Sequence, residues 1–329
     1  MLGSYRLLLS LLVALSHAGV SIAGVNPGIC AVISFYLLSG QSTSLLIRYS
    51  YMGQERIVPF YVDRLLRLFP QFLLYSLLAG IVLITVSVSS PYTIAFTPMK
   101  VFLNLLMLPQ GYLFAHTLEG AQLLPQSWAL GLQLSFYLAV PWLLLWFPGP
   151  QLYLTGLASM AVFLLAYVGL VNTDAVGYRL LPGTFFMFLA GMAFADDRLF
   201  ARRYRIAVLA FALLLCGGML LDPRLHGLPF NREVLLGLVL GILVISAIRN
   251  TRSGSLDRAC GALAYGVFLN HVLLIWILQT FSGEESLPGP WLLLLLAASL
   301  VLAWCSYVGL ERPLDQWRRA RRRRLAPAS

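Results

Sequence analysis

Charge is what this chain has least of. Asp, Glu, Lys and Arg make up 11% of its 329 residues, whereas a soluble domain carries about 25%. So little charge cannot cover a water-facing surface. The length would allow two soluble domains, but no stretch is polar enough to be one. Lysine is nearly missing too: Lys100 stands against 22 arginines. The four cysteines, Cys30, Cys216, Cys260 and Cys305, show no paired spacing, which excludes a disulfide framework and gives no sign of a metal site. An internal repeat of the transporter kind is also absent.

What fills the chain is apolar. Hydrophobic residues make up 59%, and mean hydropathy is +0.81. Long apolar runs recur from end to end, so the fold class is all-α, a polytopic transmembrane helical bundle of about ten spans. The spans read as 5–24, 28–47, 68–88, 128–147, 152–171, 180–195, 206–221, 233–248, 262–281 and 290–310. The first also resembles a signal peptide ending at Ser21-Ile22-Ala23, but it is long enough to span and only Arg6 supplies a basic region. Region 100–115 is apolar yet holds Lys100, Asn104, Pro109 and Gln110, and is expected to be re-entrant or interfacial. The membrane part, 1–311, is expected to be followed by a basic cytoplasmic tail, 312–329, and no soluble appendage is expected at either end.

The net charge of +10 does not indicate nucleic acid, because the arginines cluster in short gaps between apolar runs. That is the signal of cytoplasmic loops beside anionic lipid. With ten spans and both termini cytoplasmic, nineteen of the 23 basic residues fall inside. Lys100, Arg179, Arg224 and Arg232 stay outside. An eleventh span through 100–115 would split the basic clusters between the two sides.

Few ionisable or polar residues lie inside the spans, and such residues are functional candidates by default. Arg6 and His17 are eleven positions apart on the first span, about three turns plus 20°, so they share a face about 16 Å apart along the axis. A buried, neutral imidazole there suits a general base. Arg64 and Arg67 are helix neighbours at i, i+3, followed by Pro70 at the entry of the third span. Paired guanidiniums suit phosphate, though the pair also serves as an inside anchor. Trp128 sits where an interfacial aromatic belongs, ahead of Gln133 and Tyr137. Gln133 is a site residue or simply helix–helix glue. His271 in the ninth span is a site residue or a helix–helix hydrogen-bond donor. Glu311, before Arg312-Pro313, is a site residue or a helix stop.

Taken in order, these motifs resemble the membrane-bound acyltransferase-3 family, the bacterial integral-membrane O-acyltransferases. Arg6 and His17 match its arginine–ten residues–histidine pattern, and Phe35 to Ser39-Gly40 its second span. Arg64 and Arg67 with Pro70 match its paired-arginine motif. Trp128 through Phe136-Tyr137 and Pro141 match its fourth span. Arg179 with Phe185-Phe186 and Gly191, then Tyr265 to His271, then Glu311 with Pro313, match the rest. The family usually has Glu five residues after the Trp; here Gln133 stands there, and an amide cannot take a proton as a carboxylate does.

The resemblance implies a multi-pass enzyme of the bacterial cytoplasmic (inner) membrane with no bound cofactor and with acyl-CoA, usually acetyl-CoA, as co-substrate. The acceptor is a hydroxyl of a glycan or glycolipid at or beyond the outer face. Arg64, Arg67 and Arg6 would hold the CoA phosphates, and His17 would deprotonate the acceptor or carry the acyl group. Trp128, Gln133, Tyr137, His271 and Glu311 would support the site or face the acceptor. Several family members carry an attached esterase-like domain that is not expected here, so the resemblance implies that the protein either finishes transfer itself or hands the acyl group to a separate extracytoplasmic transferase; membrane lipid is the other expected partner. A flippase of a lipid-linked glycan and a weakened partner subunit are the competing readings.

Overall fold

The structure is a computed structural model that describes residues 1–86, 88–112, 118–284 and 286–325. Its helices are α1 (Leu2–His17), α2 (Pro27–Ser50), α3 (Ile57–Thr85), α4 (Pro98–Leu105), α5 (Met107–Gln110), α6 (Trp128–Trp146) and α7 (Gln151–Tyr167). They continue as α8 (Leu181–Ala193), α9 (Leu199–Leu221), α10 (Pro223–Gly227), α11 (Asn231–Ile248), α12 (Ser255–Ser282), α13 (Gly289–Ser306) and α14 (Arg312–Leu325). Eight segments are long and apolar enough to cross a membrane, and α1 and α7 are shorter apolar helices. Each of the ten expected spans thus corresponds to a helix, and the chain is a polytopic helical bundle.

Region 100–115 is not a long helix. Asn104 and Gln110, both 1% exposed, fold the α4–α5 segment back on itself. The Asn104 amide donates to the carbonyls of Lys100 (2.8 Å) and Ala121 (2.6 Å) and accepts from the Leu123 N–H at 2.9 Å. Gln110 donates to the Asn104 carbonyl at 3.3 Å. Residues 113–115 of that region lie outside the described ones.

The chain forms two compact units. The first comprises residues 1–28, 62–131 and 252–329. In it α1 and α12 run parallel, joined at a constant offset. Ser4 N–H donates to Asp257 at 2.8 Å, Ser10 Oγ to the Ala264 carbonyl at 2.7 Å, and the His17 and His271 rings meet. Gly3 makes the start of this seam possible, since a Cβ there would lie 1.9 Å from the Asp257 carbonyl oxygen. Against α13, α12 runs antiparallel, with Asn270 Nδ2 donating to the Ser299 carbonyl at 2.9 Å. The α3 helix is antiparallel to α13 as well: Gln71 reaches Ser306 (3.1 Å) and Tyr75 the Leu302 carbonyl (3.2 Å).

These directions fix the parity of crossings. Counted in ten, α1 and α12 are first and ninth and must be parallel, while α3 and α13 are third and tenth and must be antiparallel. Both hold. An additional crossing through α4–α5 would reverse both relations.

The second unit comprises residues 29–61 and 132–251. Its α2 and α8 are in backbone contact through glycine: a Cβ on Gly40 would lie 1.9 Å from the Phe188 carbonyl oxygen, and one on Gly191 2.0 Å from that of Leu37. An aromatic core surrounds that seam. Phe188 stacks on Phe136 at 4.4 Å and on Tyr36 at 4.8 Å between centroids.

Candidate active site

The α1 helix ends earlier than its apolar run. A span to residue 24 was expected, with His17 buried in its upper half; instead His17 is the last helical residue and is exposed. The stop is a Schellman turn. Gly19, at φ +92°, donates to the Ser16 carbonyl at 3.1 Å, and Val20 to the Leu15 carbonyl at 3.0 Å. Asn26 Oδ1 then accepts from Ser16 Oγ (2.6 Å) and from the Gly28 N–H (2.9 Å), pinning the loop that follows. Sixteen residues make a helix about 24 Å long, against a hydrocarbon core of about 30 Å. An α1 that begins at one membrane face therefore delivers His17 inside the opposite one.

The His17 ring faces α12, its centroid 5.0 Å from that of His271 at a 47° tilt. His17 Nδ1 lies 3.0 Å from the Val13 carbonyl oxygen. A carbonyl only accepts, so Nδ1 carries the hydrogen and the lone pair of the neutral ring is on Nε2. His271 repeats the arrangement, with Nδ1 donating to the Val267 carbonyl at 3.2 Å. It is completely buried, and its Nε2 has no partner. Around it, Phe268 approaches edge-on at 6.1 Å. Asn270 is tied to Ser299. Gln126, 1% exposed, donates to the Leu269 carbonyl at 2.7 Å.

Six residues earlier on α12, about 9 Å along the axis, lies a charged cluster. Arg67 donates to Glu311, lies 5.3 Å from the Tyr265 ring centroid, and so joins α3, α12 and the end of α13. A π-helical turn, Tyr307–Glu311, links α13 to α14 and delivers that carboxylate. Arg64 is 8% exposed and donates to Asp63. Asp63 also accepts from Arg318 Nε at 3.3 Å and from a terminal nitrogen at 3.2 Å. The paired arginines thus meet as expected at one level of the bundle, each engaged by a carboxylate. Arg318, 4% exposed, belongs to the basic tail; here it is buried in an ion pair.

The remaining expected residues fall elsewhere. Arg6 is half-buried on α1. Trp128 opens α6 and, rather than facing an interface, is 8% exposed. Gln133 and Tyr137 belong to the second unit, where Gln133 Nε2 donates to Tyr137 Oη and, at 2.9 Å, to Ser39 Oγ. Sequence reasoning missed Asp63, Gln126, Asn270 and Arg318. Asp63 had a visible signal, an acid beside two arginines; Gln126 and Arg318 depend on partners more than 140 residues away, and Asn270 on Ser299, 29 residues away.

A polytopic helical bundle with a histidine pair and an arginine–carboxylate cluster inside one unit is an integral-membrane protein with a cluster of ionisable side chains. A family model described as an acyltransferase domain matches residues 6–310, nearly the whole chain, and the chain belongs to this acyltransferase-3 family. An uncharacterized protein of Aquifex aeolicus (strain VF5) is 30% identical over 167 residues, which is 47% of this chain and 72% of that protein. No solved structure matches the chain.

Proposed function

We propose that this membrane acyltransferase moves an acyl group, most simply acetyl, from cytoplasmic acyl-CoA to a hydroxyl of a cell-surface or secreted glycan or its lipid-linked precursor. It does so in the bacterial cytoplasmic membrane with both termini cytoplasmic. The observation that carries the reading is His17: an exposed imidazole at a helix end, with Nδ1–H bonded to Val13 and its lone pair on Nε2. That is the state required to take a hydroxyl proton. The acceptor oxygen bonds to the acyl carbon as the thioester C–S bond breaks. The proton passes to His17 and then to the departing thiolate. In the covalent variant, His17 first accepts the acyl group itself.

The CoA phosphates are assigned to Arg64 and Arg67, with Arg6 on α1. Asp63 and Glu311 hold the first two in the resting protein, so phosphate binding exchanges one set of anions for another and Arg318 adds a third guanidinium. Gln133 acts in this reading by hydrogen bonding, with Tyr137 and Ser39, and not by proton transfer. A separate extracytoplasmic transferase could receive the acyl group where the final acceptor is remote from the membrane.

The test uses inside-out membrane vesicles from cells that make the protein, supplied with radiolabelled acetyl-CoA. His17→Ala is expected to insert normally and to lose label transfer to glycan by at least about 100-fold, the usual scale of a lost acid–base group. Wild-type transfer by that variant removes His17 from the chemistry, and no glycan label with wild-type protein removes the reading.

A further inference from the structure

Guanidiniums surround the end of α8 in the second unit. Three consecutive carbonyls there, which the helix itself leaves unbonded, each accept from an arginine of a different helix. Arg205 of α9 donates to Ala193, Arg249 of α11 to Phe194 at 3.2 Å, and Arg48 of α2 to Ala195 at 2.8 Å. Arg198, just ahead of α9, is the fourth, bonded through Nε and a terminal nitrogen to Asp196. Because α2, α8 and α11 end here and α9 begins here, the four charges gather at one membrane face. Aromatic rings help to fix two of them. The Arg198 guanidinium lies 4.6 Å from the Phe200 ring centroid and that of Arg205 5.0 Å from Phe194, so the donors are placed before anything binds.

The anions in contact with the cluster do not balance it. They are Asp196, Asp197 and the helix end, and a helix C-terminus counts for about half a negative charge. With the two carboxylates that makes about 2.5 negative charges against four positive ones, an excess of about 1.5 that suits a phosphate ester. Donors are left over as well. A guanidinium carries five N–H groups, and among the described residues Arg205 uses one, on Ala193. The cluster is reachable, with the Arg48 and Arg198 side chains 36% and 59% exposed. Beside it, α9 carries Leu199, Ile206, Leu213 and Leu220 seven residues apart and all exposed, hence in one stripe along the helix. At about 100° per residue, the exposed Arg202 falls between that stripe and Arg205. We infer that the arginines at the end of α8 bind the phosphate of an anionic phospholipid headgroup, with the acyl chains along the α9 stripe. Basic pockets between membrane helices take such headgroups, and the apolar stripe beside the charges suits a lipid and not a free phosphate. The site is independent of the acyl-transfer reading.

The test follows thermal unfolding of the purified full-length protein in detergent, with phosphatidylglycerol, phosphatidylcholine or inorganic phosphate added. Arg205→Gln, Arg202→Gln and Arg224→Gln are compared with wild type, each against its own midpoint without additive, so that a general loss of stability drops out. Arg205→Gln removes a donor from the centre of the cluster. Arg202→Gln, at an exposed position, keeps the test open if the first variant does not fold. Arg224, 90% exposed and beyond the far end of α9, controls for overall charge. Phosphatidylglycerol is expected to raise the wild-type midpoint by about 3 °C or more, and phosphatidylcholine and phosphate by less than about 1 °C. Arg205→Gln and Arg202→Gln should each lose at least about half of that shift, and Arg224→Gln should keep it. An equal shift with phosphatidylcholine would overturn the inference, and so would an equal shift with phosphate alone, since no lipid would then be needed. A full shift in Arg205→Gln, or in Arg202→Gln where Arg205→Gln does not fold, would overturn it too, as would an equal loss in Arg224→Gln.

Discussion

Asp196 shows how one carboxylate can secure a corner of the bundle. It lies between α8 and α9, is 3% exposed, and accepts from the Arg198 N–H at 3.0 Å and from its guanidinium at 2.6–3.0 Å, with Arg48 3.4 Å away. Burial alone would raise its pKa, but the Arg198 hydrogen bonds and the charge of Arg48 outweigh burial and hold it below the usual carboxylate value. Linkage then fixes the sign. A depressed native pKa gives stability that is complete above the unfolded value, about 3.9, and drains as pH falls through the lower native one. Below about pH 4 the unfolding midpoint in detergent should therefore drop. Asp196→Asn should cost about 1–2 kcal/mol at neutral pH and flatten that acid slope. If variant and wild type show the same slope, this carboxylate contributes nothing to acid sensitivity.

At the scale of the element, the α1–α12 seam explains what could be read in advance. The eleven-residue spacing of Arg6 and His17 was legible because helix geometry is local. The helix stop was legible in principle too, since Gly19 two residues beyond His17 is the C′ glycine of a Schellman turn, but the apolar run through Val20 and Ile22 masks it. The facing residues were not legible: His271 lies 254 positions from His17, and nothing in one sequence pairs them. Glu311 and Arg67, 244 apart, and Arg318 and Asp63, 255 apart, were hidden for the same reason. In the tail, Arg318 looks like any of its neighbours until α14 turns it onto Asp63. A seam with backbone contact has a direct test. Gly3→Val puts a branched side chain where even a Cβ lies 1.9 Å from the Asp257 carbonyl oxygen, so α1 must move away. We expect a loss of about 1–3 kcal/mol in stability and at least a tenfold loss of acyl transfer as the imidazoles separate. Unfolding in detergent checks the first and glycan labelling the second. A stable variant of normal activity would mean that the ring pair does not depend on this contact.

For the whole molecule, two arguments of different kinds agree on the parity of the crossings. Arginine placement counts charge in the gaps between apolar runs; helix direction counts the parity of contacts such as Ser10 with Ala264 and Gln71 with Ser306. Neither uses the other's data, and both reject a crossing through α4–α5, where Asn104 and Gln110 spend their amides on backbone groups nearby. The two diverge from an eleven-crossing chain at identifiable positions. Met52 follows two crossings, Gly254 follows eight, Gly289 nine and Arg319 ten. Met52 and Gly289 are exposed, a Cβ on Gly254 or Gly289 would meet nothing within 4 Å, and the Arg319 side chain is 67% exposed. Single cysteines at these four positions, in a chain whose native cysteines are replaced, should react with a membrane-impermeant maleimide from two sides. Met52→Cys, Gly254→Cys and Arg319→Cys should label together in inside-out vesicles, and Gly289→Cys alone in intact spheroplasts. An eleven-crossing chain would separate Met52 from Gly254. It would also place the Arg64–Arg67 end of α3 and the start of α12 on opposite faces, which is incompatible with Arg67 reaching Glu311 beside Tyr265, so one labelling pattern decides both the crossing number and whether donor and base can share a unit.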